Sequence, residues 1–553
     1  MMMFSEEKVE QKYEALKRKE EEESTKLLSQ KYKLPYIDLF IFPIEADAIN
    51  TLPEDRARAG NLAVFQRTGK NLKIGVRSPE KDETKAVLKH LESDRFSCEL
   101  FLISEHSLGH AWNFYKTVPE AYQKRAGTIE IAHERITELR QEITNLTEIR
   151  NRIEATFYSR ATDALEIILA GAIAVDASDV HLEPQQDACR IRYRLDGVLI
   201  DIINIPLKLY QLILSRIKLI SELKLNVHEK AQDGRFTIHD SIDIEVRTST
   251  LPGPSGENIV LRILNPKTIA VPFEDLGMQP WVVEIMQREL NKPNGMILTT
   301  GPTGSGKTTT LYAFLRKIHT PDIKIITLED PIEYRLAGIE QTQVDAKKGY
   351  DFAAGLRSIL RHDPDVILVG EVRDLETAET AMHASLTGHL VFSTLHTNNA
   401  AGTVPRLIDL GVRPSIIAPA INVSMAQRLM RKLCADCGTE TKMDKKTVSN
   451  LKKELSLFPK GVPLPSQDNW KIRGAAENGC PKCNNTGYKG RIGIYEIILI
   501  DENVEHLILK EPSEYEIKKL AASQGQISMR QDGILKILSG VTDFKELERV
   551  AGE

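Results

Sequence analysis

Gly301-Pro302-Thr303-Gly304-Ser305-Gly306-Lys307-Thr308, entered from Met296-Ile297-Leu298-Thr299-Thr300, fits the pattern G-x-x-x-x-G-K-[ST]. An apolar strand pattern precedes it and a helical pattern follows, which is the context the motif requires. Its glycines let the backbone turn tightly, so that successive N–H groups point at phosphate oxygens. Lys307 supplies a point charge for the β- and γ-phosphates, and the Thr308 hydroxyl is placed to ligate magnesium. A helix opening at Thr308 presents its positive dipole end to the same anion. With Thr309 added, these residues form the candidate nucleotide-binding set, and the implied ligand is a nucleoside triphosphate.

Beyond this run, apolar strand candidates alternate with helical patterns: 296–300, Lys324-Ile325-Ile326-Thr327-Leu328, Val366-Ile367-Leu368-Val369 and Leu390-Val391-Phe392-Ser393-Thr394. Such alternation predicts a parallel sheet with helices on both faces. Three strand ends carry groups that could handle a metal-bound triphosphate. The first is Glu329-Asp330-Pro331-Ile332-Glu333, whose carboxylates would project at the C-terminal edge of the sheet. The second closes Asp363-Pro364-Asp365-Val366-Ile367-Leu368-Val369-Gly370-Glu371, with Gly370 where an Asp is usual in a Walker B strand and Glu371 next to it. The third, Thr387-Gly388-His389 to Leu395-His396-Thr397, sets His389 and His396 on either side of an apolar strand. Taken singly, acidic residues after strands are often helix caps, and a histidine beside a strand is often structural. Their joint occurrence after a P-loop favours a site.

At 553 residues the chain implies about three or four domains. Hydrophobic residues make up 41% and charged ones 27%, and the formal net charge of -5 exerts no global pull on nucleic acid. No apolar run reaches the roughly 20 residues that cross a bilayer, and Met1-Met2-Met3-Phe4-Ser5-Glu6-Glu7-Lys8 lacks the layout of a secretory signal. A cytoplasmic location is the expectation. Residues 5–30 are crowded with Glu and Lys and read as a solvated helix or a disordered arm. Between 117 and 158, Ile136, Leu139, Ile143, Leu146 and Ile153 stand at heptad spacing with Arg150 interrupting, which reads as a helical linker. Alternating strands follow at Cys189-Arg190-Ile191-Arg192-Tyr193-Arg194-Leu195, Ile242-Asp243-Ile244-Glu245-Val246-Arg247 and Asn258-Ile259-Val260-Leu261-Arg262-Ile263.

Four of the six cysteines form two pairs, Cys434-Ala435-Asp436-Cys437 and Cys480-Pro481-Lys482-Cys483. Each two-residue gap lets both sulfurs face one ion, and four thiolates make a closed tetrahedral zinc site of structural type. An iron–sulfur cluster or four unpaired thiols are the alternatives. The long separation of the pairs demands a large intervening loop. Cys98 and Cys189 stand alone and read as core residues.

Glu329-Asp330-Pro331-Ile332-Glu333, Val369-Gly370-Glu371-Val372-Arg373-Asp374 and the two histidine segments resemble the secretion ATPase superfamily, in its type IV pilus assembly and type II secretion branch. Ala177-Ser178-Asp179-Val180-His181-Leu182-Glu183-Pro184, Gln232-Asp233-Gly234-Arg235-Phe236 and Thr250-Leu251-Pro252 are similar to the same branch. The resemblance spans about 160 to 553 and is weaker over 30–115. It implies an α/β chain with a RecA-like P-loop ATPase domain (269–433), preceded by a PAS-like α+β domain (159–268). A tetracysteine zinc element (434–490) and C-terminal helices (491–553) would follow, with an arm (1–30), a small N-terminal α/β domain (31–116) and a linker (117–158) in front.

By that resemblance the chain is an ATP-hydrolysing motor working as a homo-hexamer. ATP and Mg2+ would be its cofactors, beside structural Zn2+. Glu329 would polarise the attacking water, Glu371 would organise magnesium, and His396 would sense the γ-phosphate, with His389 counted among the catalytic candidates. Arg235 and Arg247 would complete the site across an interface, although a surface ion pair is the bland alternative for each. The expected partner is a platform protein at the cytoplasmic face of the inner membrane, and the work is pilin polymerisation or pseudopilus extension. A nucleic-acid motor or a non-catalytic ATP switch fits less well, for want of base-stacking motifs and because Lys307, Glu329, Glu371 and His396 are intact. No Arg-Leu-Gly-type motif precedes Leu34, so a cyclic dinucleotide is not an expected ligand.

Overall fold

The structure is a computed structural model that describes residues 21–552, apart from 41, 43, 45, 50, 69–70, 94–95, 118–127, 130–138, 140–141, 144, 158–160, 239–242, 267–269, 346–347 and 442. Ile136 of the heptad run and the first 20 residues of the charged arm therefore lie outside the described residues. The chain divides into two compact units, Met1–Glu130 and Ile131–Glu553. In the first, strands β1 (Leu62–Thr68), β2 (Asn71–Val76) and β3 (Ser97–Leu102) form a sheet in that order. β1 and β2 pair antiparallel, β2 and β3 parallel. The parallel pair needs a crossover, which helix α1 (Asp82–Ser93) supplies.

The second unit opens with helical residues Leu146–Ala155, whose Ile149 and Ile153 are fully buried. The interrupting Arg150 donates from Nε to the Ile202 carbonyl at 2.8 Å, so this segment is packed onto the unit. After helix α2 (Ala161–Ala174) come strands β4 (Asp179–Pro184), β5 (Ala188–Leu195) and β6 (Val198–Pro206), then helix α3 (Leu207–Ile220). Strands β7 (Gln232–Ile238), β8 (Ile244–Gly253) and β9 (Gly256–Leu264) complete an antiparallel sheet whose order within this unit is β7-β8-β9-β4-β5-β6. Along β5 the residues alternate strictly between buried and half-buried, as a sheet covered on one face requires. Tyr193 on the buried face donates to the Ile168 carbonyl of α2 at 2.6 Å. On the other face one row crosses five strands, Arg235, Arg247, Arg262, Asp179 and Arg194.

A second sheet contains β10 (Gly295–Thr300), β11 (Ile325–Glu329), β12 (Glu340–Gln343), β13 (Val366–Val369), β14 (Leu390–Leu395), β15 (Ile421–Leu433) and β16 (Tyr488–Leu499). Its order is β12-β11-β13-β14-β10-β15-β16, parallel throughout except for the antiparallel β15–β16 pair. Every residue of β10, β11, β13 and β14 is buried, because helices cover both faces. Ile297, Leu368 and Phe392 enter one core with Leu311 and Phe314 of helix α4 (Lys307–Ile318), while Leu298, Ile367 and Val391 enter the other. The predicted parallel sheet is thus present. Residues 491–499, grouped above with C-terminal helices, instead form β16 together with 488–490 of the cysteine element, and this strand pairs antiparallel with β15. The chain between the cysteine pairs holds helix α5 (Lys445–Ser456), whose Leu451 shares a core with Ile494, Leu538 and Leu547, so it is more than a loop.

Candidate functional site

The C-terminal ends of β10, β11, β13 and β14 meet at one edge, where helix N-termini and strand ends leave room for a ligand. β10 runs into the P-loop and α4 leaves it, with Gly306 capping the helix at φ +90°. A side chain at 306 would be strained there, and its Cβ would sit 2.8 Å from Gln427 Nε2. At Gly301, with φ +147°, a Cβ would fall 2.6 Å from the Gln427 carbonyl oxygen. Lys307 Nζ donates to the carbonyls of Gly301 (2.7 Å) and Pro302 (3.2 Å). Burial pulls the Lys307 pKa below its ordinary value, against the attraction of Glu371. Pro302, Thr303, Gly304, Ser305, Thr308 and Thr309 line the same cavity, of about 870 Å³. Ser305 is 4% exposed, and its Oγ has no hydrogen-bond partner among the described residues. An orphaned hydroxyl inside a glycine cradle at a helix N-terminus fits an anionic polyphosphate.

The magnesium candidate Glu371 follows Gly370, whose N–H donates to the Leu328 carbonyl at 2.8 Å. A Cβ on residue 370 would come within 3.2 Å of that oxygen, a tight approach that glycine avoids. Glu371 pairs with Arg373 through one oxygen and lies 3.3 Å from His396 Nε2 through the other. Burial opposes its ionisation, but Arg373 and His396 hold the carboxyl below the ordinary range. His396 stands just past β14, and Thr397 beside it accepts or donates to Thr300 Oγ1 at 2.7 Å, tying that loop to the strand that feeds the P-loop. His389 lies at the opposite end of β14. Its Nδ1 is 3.0 Å from the Ala384 carbonyl, closing the helix that ends at Leu386. A six-residue strand separates it from His396, about 20 Å of rise, so the structure does not bring His389 to the site.

Glu329 terminates β11 and is 4% exposed. Its carboxylate accepts from Thr327 Oγ1 (2.6 Å), from Gln341 Nε2 (3.2 Å) and from the Tyr312 hydroxyl of α4. Burial pushes its pKa up, although the three donors work the other way. Glu333, four residues on and half-buried, also lines the cavity.

Of the arginines singled out in the sequence, neither lines this cavity. Arg247 Nη2 donates to the Ile332 carbonyl at 2.6 Å, which steadies the loop carrying Glu333. Arg235 is exposed beside it on β7. Arg194 and Arg262 face the cavity instead, held by Asp179 at 3.2 and 3.1 Å, and Arg428 joins them from β15. Both β-domain arginines sit in strands visible in the sequence, and the signal for them was the strand register that puts them on the face opposite Tyr193.

The cysteine pairs meet. All four sulfurs lie within 4.8 Å of one another, with Cys434–Cys480 at 3.8 Å and Cys437–Cys483 at 3.7 Å. Four thiolates about 2.3 Å from a tetrahedral zinc stand about 3.8 Å apart, so the cluster is compatible with the ion. Cys483 Sγ accepts N–H bonds from Cys480 (3.1 Å) and Gly487 (3.3 Å), which stabilise a thiolate. The remaining cysteines are not part of it: Cys189 is buried and Cys98 half-buried.

Comparison with known proteins agrees with this architecture. The family model described as Type II/IV secretion system protein matches residues 158–549. A type IV pilus assembly ATPase PilB of Myxococcus xanthus is 35% identical over 534 residues, 96% of this chain and 91% of that protein. A type II secretion system protein E of Aeromonas hydrophila is 43% identical over 390 residues, 70% of this chain and 75% of the relative. Among solved structures, the Yersinia pseudotuberculosis ATPase DotB superposes with a TM-score of 0.51 at 20% identity, covering 70% of this chain and 93% of its own, a likeness of fold. Among the described residues no helix is long and apolar enough to cross a membrane. The chain belongs to the Type II/IV secretion system protein family of secretion ATPases, with the branch that includes pilus assembly and type II secretion ATPases as its relatives.

Proposed function

We propose that this protein hydrolyses ATP with Mg2+ and converts the cycle into movement as a homo-hexamer at the cytoplasmic face of the inner membrane, docked on a platform protein. The observation that carries this reading is the cavity shared by Lys307, Glu333, Glu371 and His396, with Arg194 and Arg262 of the preceding β-domain on its rim. Bound magnesium would screen the phosphoryl charge, with Thr308 and Glu371 as the residues to hold it. Glu333 takes the water-orienting role expected of Glu329: both line the cavity, but the Glu329 carboxylate is already engaged by three donors. The arginine pairs on Asp179 keep two cations ready beside the phosphates, where developing charge can recruit them.

The sequence-derived domain limits, 31–116, 159–268, 269–433 and 434–490, are retained within this reading, with β16 assigned to the motor sheet. Pilin polymerisation is the reading taken first; pilus-assembly relatives of Myxococcus xanthus and Thermus thermophilus align over 96% and 93% of the chain, while that of Acinetobacter baylyi aligns over 70%, as does the Aeromonas hydrophila type II relative. Deleting the gene in its native host tests this. Loss of surface pili with normal protein secretion supports the assignment, and loss of secretion with normal pili replaces it with the type II one. A Glu371→Gln chain mixed with ATP should run at six copies by light scattering, and a monomer at every concentration contradicts the ring.

A further inference from the structure

His396 depends on its backbone for its place at the site. Its exposed ring has one hydrogen-bond partner among the described residues, Glu371 Oε2 at 3.3 Å. The chain that follows, from Thr397 to Gly402, is neither strand nor helix, yet it is tied down at successive residues. The Thr397 N–H donates to Thr300 Oγ1 at 2.7 Å, and Arg428 Nη2 donates to the Asn398 carbonyl at 3.0 Å. The Ala400 N–H donates to Glu496 Oε1 at 2.8 Å, while the Ala400 carbonyl accepts from Ser424 Oγ at the same distance. Ala400 and Ala401 are themselves buried. Three of these anchors share one face of the β15–β16 pair: Ser424 and Arg428 alternate with intervening residues along β15, and Glu496 stands on β16 opposite Ala426, midway between them.

We propose that Glu496 is a positioning residue for hydrolysis: by holding the Ala400 N–H it fixes the loop that sets His396 against Glu371 at the phosphate cavity. The inference rests on that cavity being an ATP-hydrolysing site, and it names what keeps the histidine in place there. Glu496 does not line the cavity, so it acts through the loop and not on the nucleotide. A carboxylate that accepts a backbone N–H makes a bond roughly twice as strong as a neutral pair. Lys518 and Glu514, from the helix Glu514–Ser523, complete the charged surroundings of Glu496, and Glu514 Oε1 also accepts from Asn399 Nδ2 at 2.8 Å. Burial raises the Glu496 pKa, while the Ala400 N–H and Lys518 lower it. Reach therefore matters more than charge at this position. A glutamine of equal length offers an oxygen to the same N–H, whereas an aspartate keeps the charge and stops one methylene short.

The test is magnesium-dependent phosphate release by the full zinc-loaded chain, for wild type, Glu496→Gln, Glu496→Asp, His396→Ala and Glu496→Asp combined with His396→Ala. Misplacing a reacting group by about 1 Å can cost up to about 100-fold. Glu496→Asp should accordingly lower kcat about tenfold and leave KM for ATP within about twofold. Glu496→Gln should retain kcat within about twofold, since it keeps the bond to Ala400. Beside His396→Ala, adding Glu496→Asp should cost less than about twofold more, because the group it positions is already gone. The inference is overturned if Glu496→Asp turns over like wild type, if Glu496→Gln loses as much as Glu496→Asp, if His396→Ala alone is silent, or if Glu496→Asp costs its full factor without His396. Each of these, with an active wild type, leaves the ATP-hydrolysing reading standing, whereas a wild type without turnover removes that reading and the inference with it. Should Glu496→Asp not fold, Ser424→Ala takes its place by freeing the Ala400 carbonyl, with the same loss expected in wild type and none beside His396→Ala; any other pattern counts against the proposal.

Discussion

The two carboxylates of the Glu329–Glu333 segment differ in surroundings, and the difference sets opposite outcomes for their removal. Glu329→Ala strips the partner from three buried donors, the Tyr312 and Thr327 hydroxyls and the Gln341 amide. Each orphaned group costs about 1–3 kcal/mol. Taking the low end, the variant loses about 3 kcal/mol of stability, and Tm falls by roughly 3–4 °C for a unit as large as Ile131–Glu553. Glu333→Gln removes a half-buried carboxylate with no such network, so Tm should stay within about 2 °C, inside the small range of substitutions outside packed networks. Its kcat should instead fall about 100- to 10,000-fold, as loss of a general base does, with KM for ATP little changed. Scanning fluorimetry and phosphate release on the same preparations supply both numbers. The reasoning is refuted if Glu333→Gln retains turnover, or if Glu329→Ala keeps wild-type Tm and loses only kcat.

Three further outcomes follow from the geometry. His396→Ala should lower kcat about 10- to 100-fold through loss of the group beside Glu371, whereas His389→Ala, at the far end of β14, should stay within about twofold. Phosphate release reports both, and equal losses would contradict the placement. Removing metal with a chelator should release one zinc per chain, seen with a colorimetric zinc indicator, and lower Tm by more than about 5 °C, because the cysteine cluster anchors chain that shares a core with Ile494 and Leu547. An unchanged Tm would show that the cluster is not a structural metal site. Glu546 is fully enclosed. Burial alone would raise its pKa, but Arg549, Arg431 and the Arg431 N–H bring it down to about 2 from an ordinary 4.5. A folded pKa lower than the unfolded one means that its stabilisation is present above pH 4.5 and is lost as pH falls toward 2. Chemical denaturation across that window should show a steeper loss for wild type than for Glu546→Gln, and parallel curves would remove Glu546 from the account.

The parts of the fold carried by local pattern were legible. Four largely apolar runs separated by helical patterns correspond to β10, β11, β13 and β14, since strands buried on both faces favour near-continuous hydrophobicity. The cysteine spacing likewise anticipated a cluster that closes to within 4.8 Å. What the residues could not announce was which end of an element faces the ligand. His389 and His396 bracket the same strand, and only the parallel register with β10 shows that His396 stands beside the P-loop. β16 has no clean period-2 signal over Tyr488–Leu499, and its partner β15 precedes it by more than 50 residues with the cysteine element between. Arg194 and Arg262 were hidden for a related reason. Their strands were visible, but cross-strand neighbours such as Asp179 are set by pairing at long range. The enclosure of Glu329 has no sequence signal either, because chain position says nothing about the Tyr312 hydroxyl arriving from α4.

The central claim is that the P-loop edge of this sheet is an ATP-hydrolysing site. Phosphate release by the purified full-length chain, with and without magnesium, beside a Lys307→Ala variant, tests it most directly. Lys307 supplies the cation within the glycine cradle, and the cavity it faces contains Glu371. The account predicts magnesium-dependent turnover in wild type and loss of both turnover and ATP binding in Lys307→Ala. Turnover that survives Lys307→Ala, or a wild-type chain that binds ATP yet releases no phosphate with magnesium, zinc and its platform protein present, would contradict it.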